Sequence, residues 1–114
     1  MQLPKDAVLL RIFAGEQQKY GHQPLYEAVV MKAREMHMAG ATVLRGPLGY
    51  GHSSRIHTGK ILRLSEDLPV IIELVDERKV LEDFLDLIEP ALKEGLVTFE
   101  KMHIRMYRAG RQDR

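Results

Sequence analysis

Apolar positions along this chain alternate between strand and helix periods. Val8 to Phe13 is a short run rich in strand formers, closed by Gly15, and predicts a first strand. Tyr20 to Gln23 reads as a turn, and Pro24 suits the first position of a helix, where its missing N–H costs nothing. Glu27 then lies near the positive end of that helix dipole. Leu25, Val29, Ala33 and Met36, with Ala28 beside them, make one stripe at helical spacing, so helix one should run to about Met38 and stop at Gly40. Thr42 to Leu44 begins a second strand, followed by a glycine-punctuated segment. Ile61 to Leu64 reads as a strand extension, Ser65 to Pro69 as a bend, and Val70 to Val75 as an almost unbroken third strand. Asp76 is a fair N-cap for helix two, whose stripe is Val80, Phe84, Leu87, Ile88 and Leu92 and which Pro90 should kink or stop. Gly95 closes the helix region. The last strand is expected over Val97 to Tyr107, its inward parity switching from Val97 and Phe99 to Met102, Ile104 and Met106, which a bulge or break near Glu100 would reconcile.

The order strand, helix, strand, strand, helix, strand predicts an α+β class protein, a ferredoxin-like βαββαβ sandwich with both helices on one face of an antiparallel sheet. Such a sheet, wet on its other side, should alternate apolar and polar residues. Val8, Leu9, Leu10, Ile12 and Phe13 do not alternate, nor do Val70, Ile71, Ile72, Leu74 and Val75, where only Glu73 interrupts. These are the central strands of that topology. Leaving four large aliphatic side chains in water would forgo about 1.5–3 kcal/mol each, so another subunit is expected to cover the open face.

Composition fits this picture without adding chemistry. A chain of 114 residues is expected to form a single domain over 1–114, with its core at 8–107 and a loose tail at 109–114. Its 45% apolar and 29% charged residues argue for a globule rather than a disordered chain. The absence of cysteine excludes thiolate catalysis, disulfides, zinc ribbons and iron–sulfur clusters. Arg11 interrupts the N-terminal apolar stretch and no apolar run approaches 18 residues, so a cytoplasmic protein without signal peptide or membrane span is expected.

The net charge of +1 hides segregation. Met36 to Ser65 contains no Asp or Glu, whereas Glu66 to Glu94 holds ten carboxylates, and Lys101 to Arg114 is basic again. This points to an anionic ligand or partner surface and away from bulk nucleic-acid binding. Solvated faces that neutralise one another explain it equally well.

Most motif matches fail. Gly46-Pro47-Leu48-Gly49-Tyr50-Gly51-His52 has phosphate-loop spacing, but His52 stands where lysine is required and no helix follows. Gly49 to Ser54 lacks the third glycine of a dinucleotide fingerprint. What survives is a nest of backbone N–H groups able to hold an anion, with Arg45, His52, Ser53, Ser54 and Arg55 around it; glycines needed only for a strand-end turn are the plainer reading. His52, His57 and His103 match no trusted metal spacing, and Ser53 and Ser54 lack a base and an orienting acid, so no catalytic site is expected.

At Pro24 to Ala28, Gly40 to Gly46, Gly49-Tyr50-Gly51, Ile56-His57-Thr58 and Leu62 to Pro69, the chain resembles a family of small bacterial and archaeal PII-like proteins, over nearly everything from Val8 to Tyr107. The resemblance implies a ferredoxin-like subunit in a homotrimer. The wider PII signalling family implies more: a T-loop between strands two and three, here Gly51 to about Lys60, would contact a membrane transporter or enzyme, and adenine nucleotides would bind in inter-subunit clefts at its base. By that resemblance Thr42 matches the threonine after the first helix, Gly49 and Gly51 flank the aromatic at the loop base, and Arg105 or Arg108 matches the last-strand arginines that meet phosphate. The segment after helix two, Gly95-Leu96-Val97-Thr98, carries no lysine, and the loop has no central tyrosine, so a smaller adenylate or another anion fits as well as a triphosphate. The competing classes are a metal-responsive trimer similar to the CutA proteins and a structural trimer that docks on a partner without a small ligand.

Overall fold

The computed structural model describes residues 7–47 and 68–108. The strand extension expected at Ile61–Leu64, most of the bend at Ser65–Pro69 and the tail at 109–114 lie outside them. In chain order the elements are β1 (Ala7–Gly15), a hairpin of β2 (Lys19–Tyr20) and β3 (Gln23–Pro24), α1 (Leu25–Glu35), β4 (Gly40–Arg45), β5 (Pro69–Glu77), α2 (Arg78–Ile88), a 3-10 turn at Glu89–Ala91 and β6 (Leu96–Lys101). The main sheet has the order β4-β5-β1-β6 with every neighbouring pair antiparallel, so β1 and β5 are the central strands, as their unbroken apolar runs predict.

Both helices pack on one side of this sheet. Val8, Leu10 and Ile12 from β1, with Ile72 and Leu74 from β5, form one buried cluster with Leu25, Val29 and Ala33 of α1 and Leu81, Phe84 and Ile88 of α2. Burying each of the larger side chains stabilises the fold by about 1.5–3 kcal/mol.

Four local expectations are corrected. Pro24 precedes α1 as its N-cap and pairs with Lys19 in the hairpin, whose turn contains Gly21 at a φ of 64°. α1 ends at Glu35, short of Met38: the N–H of His37 donates to Arg34 O and that of Met38 to Ala33 O, a Schellman closure that puts His37 at a φ of 57°. Asp76 does not cap α2. It is a buried residue of β5 whose carboxylate accepts the N–H of Ala39 at 3.0 Å and of Glu77 at 2.8 Å, and the cap position falls to Glu77, which makes no side-chain cap bond. The buried positions of α2 are Leu81, Phe84 and Ile88, while Leu87 is exposed, because the stripe that meets the core runs through Leu81, Phe84, Leu85 and Ile88 and not through Val80 and Leu87.

Pro90, unable to donate a backbone hydrogen bond, falls in the 3-10 turn that follows α2, matching the early stop expected of it. β6 stops at Lys101, so the parity switch between Phe99 and Met102 coincides with the end of pairing to β1. Gly95, at a φ of 132°, enters β6 with its Cα against β1: a Cβ there would meet the Phe13 carbonyl oxygen at 2.5 Å.

Candidate functional site

Because residues opposite one another in a sheet share a face, the register lays out the side away from the helices row by row. Leu44, Ile71, Phe13 and Leu96 form one row across all the strands of the main sheet. Leu44 is 46% and Leu96 57% exposed at its two ends. The next row is Thr42, Glu73, Arg11 and Thr98, and the third is Gly40, Val75, Leu9 and Glu100. Arg11 Nε donates to Glu73 Oε2 at 3.0 Å and Nη1 to Glu100 Oε1 at 3.1 Å. The hydrogen bond to Glu73, with the charge of both carboxylates, holds the Arg11 guanidinium above its ordinary pKa. A cation in the middle of an apolar face is thus answered within its own chain.

A second cluster closes the mouth of segment 48–67. Arg45, at the end of β4, meets Glu16 in the turn after β1, with Nη2 to Oε2 at 2.7 Å. The Glu16 N–H donates to Leu68 O and the Gly46 N–H to Pro69 O, each at 2.8 Å. An anion approaching Arg45 therefore competes with Glu16. Sequence reading missed Glu16, because nothing local in the chain marks it as the partner of Arg45.

The remaining described candidates lie in β4 and beyond β6. Thr42 lies exposed midway along β4, beside Glu73. Arg105 and Arg108 are exposed and follow β6 rather than lying in it. Between them, the Tyr107 hydroxyl donates to Ala39 O at 3.1 Å, and the Ala39 N–H is held by Asp76. That ties Tyr107 to the Gly40 end of β4, about 17 Å from Arg45 at roughly 3.4 Å per residue. Tyr107, between the two arginines, is thus anchored at the end of β4 opposite Arg45. Gly49, Gly51, His52, Ser53, Ser54 and Arg55 lie outside the described residues. Among the described residues no three His, Asp or Glu side chains come together as metal ligands, and no helix is long and apolar enough to cross a membrane.

The profile of the DUF190 family, described as "Uncharacterized ACR, COG1993", matches residues 7–104. The chain belongs to this family. A UPF0166 protein of Aquifex aeolicus is 35% identical over 96 residues, covering 84% of this chain and 90% of the relative. A UPF0166 protein of Methanocaldococcus jannaschii is 31% identical over 99 residues, covering 86% and 91%. Among solved structures, CPII from Thiomonas intermedia K12, bound to ADP and bicarbonate, superposes with a TM-score of 0.60 at 15% identity, covering 86% of this chain and 87% of that one. At that identity the likeness shows the fold: this DUF190 chain is PII-like in architecture, as its sequence resemblance implies.

Proposed function

We propose that this DUF190 chain is a PII-like regulatory protein, not an enzyme, which works in the cytoplasm as a homotrimer. It binds a small anion in clefts between subunits and presents the 51–60 loop to a partner protein. The observation that carries this reading is the row Leu44–Ile71–Phe13–Leu96 on the side of the sheet away from the helices, an apolar band that a second copy would cover. The anchoring of Tyr107 at the end of β4 opposite Arg45 adds support, since cationic groups from different parts of two subunits can converge on one ligand. CPII, which shares the fold, holds ADP and bicarbonate, so these are the first anions to test, with AMP, ATP and cyclic AMP beside them.

Sedimentation equilibrium at low micromolar concentration should give the mass of three chains, and isothermal titration should give saturable heat for at least one of those anions, reduced in Arg45→Ala and in Arg105→Ala or Arg108→Ala. A well-behaved particle of single-chain mass overturns the assembly. No saturable heat at millimolar ligand overturns anion sensing.

A further inference from the structure

On the helix side of the sheet a groove of about 620 Å³ runs between α1, the β2–β3 hairpin and the end of α2 with its 3-10 turn. Exposed apolar side chains line it: Tyr20 is 55%, Met31 50% and Leu87 57% exposed. Lys19, Lys32 and Lys93 share the lining, with Glu35 its one carboxylate. Lys32 approaches Glu35 at 3.8 Å, whereas Lys19 and Lys93 have no ion-pair partner among the described residues.

We propose that this groove docks an acidic, amphipathic helical segment of a partner protein. Exposed aromatic and methionine side chains are the residues that anchor an apolar helix stripe, and lysines beside them select carboxylates on its flanks. α1 has 11 residues and so runs about 16 Å, long enough to lie beside anchors at i, i+3 or i+4, and i+7 of a docked helix. Charge favours an acidic segment over the basic stretches of this chain. Segment 48–67 carries Arg55, Lys60 and Arg63 against Glu66 and Asp67, and residues 109–114 carry Arg111 and Arg114 against Asp113. The acidic helix α2 already spends Phe84 and Ile88 in its own core. The groove lies across the sheet from the row that the proposed assembly would cover, so covering that row does not itself fill the groove.

The test is selection from a displayed library of 16-residue amphipathic helices, with apolar anchors fixed and flanking positions open to Asp, Glu, Lys, Arg, Ser and Gln. The baits are the wild-type protein and the Lys19→Glu/Lys93→Glu variant. Both lysines are exposed, so the fold should be unchanged, and circular dichroism checks this. Wild-type protein should enrich Asp and Glu at the flanks, and the best binder should lose roughly tenfold or more in affinity for the variant and for Tyr20→Ala. Binders without acidic bias, equal affinity for wild type and variant, or no enrichment over a blank bait each overturn the proposal.

Discussion

The two sides of this sheet expose apolar surface in opposite patterns. On the open side the apolar residues form a continuous row, and the cation beside them, Arg11, is held between Glu73 and Glu100 of its own chain. On the helix side the exposed apolar residues share a groove with three lysines, two of which have no ion-pair partner among the described residues. A face whose charges are already answered can be covered by a like surface without stranding a charge, which is costly once water is excluded. A face whose cations are unanswered gains from an unlike, acidic partner. The difference teaches that apolar exposure alone does not identify a partner; where the charge sits, and whether it is satisfied, does.

The sharpest way to break this comparison is to place a carboxylate in the row. Phe13→Asp sits between Ile71 and Leu96 and would strand a charge in any covered interface. Its expected effect is loss of the assembly, read as a fall to single-chain mass by sedimentation. Leu87→Asp, on the helix side, should keep the wild-type mass while abolishing helix docking. If both variants lose the assembly, or neither does, the two faces do not have separate roles.

A smaller effect is expected where β6 joins the row. Gly95→Ala would push a methyl against the Phe13 carbonyl at a φ that L-residues rarely adopt, so β6 must move off β1 or the turn must rearrange. Destabilisation of about 2 kcal/mol or more is expected by denaturant unfolding. Because Leu96 follows directly, the assembly should weaken with it.

The central strands were legible because Val8–Phe13 and Val70–Val75 carry their message in consecutive residues. Asp76 was misread because an Asp just before an apolar helical stripe looks like a cap; its real partner, Ala39 N–H, is brought by a different turn. The candidate site was legible only in residue type. Arg45 was recognised as a cation at a loop base, but Glu16, which answers it, comes from another turn. The groove was invisible for the same reason: Lys19, Lys32 and Lys93 become neighbours only when the hairpin and the end of α2 are laid beside α1.

The turn that joins the helix side to the edge of the open side gives the mildest test. His37 occupies the position after the α1 cap in the left-handed region, where a Cβ costs about 1–2 kcal/mol and glycine costs nothing. His37→Gly removes that strain but frees the unfolded chain, which returns roughly 0.5–1 kcal/mol of the gain. The side chain is exposed, so little packing is lost. A net stabilisation of about 0.5 kcal/mol is expected in denaturant unfolding, with the assembly mass and the helix-side affinity unchanged. Because Met38 and Ala39 follow immediately and Ala39 is fixed at both its N–H and its carbonyl, a loss of stability would mean that the imidazole itself helps hold this turn. In that case the link between the two faces would have to be assigned to His37 as well as to Asp76.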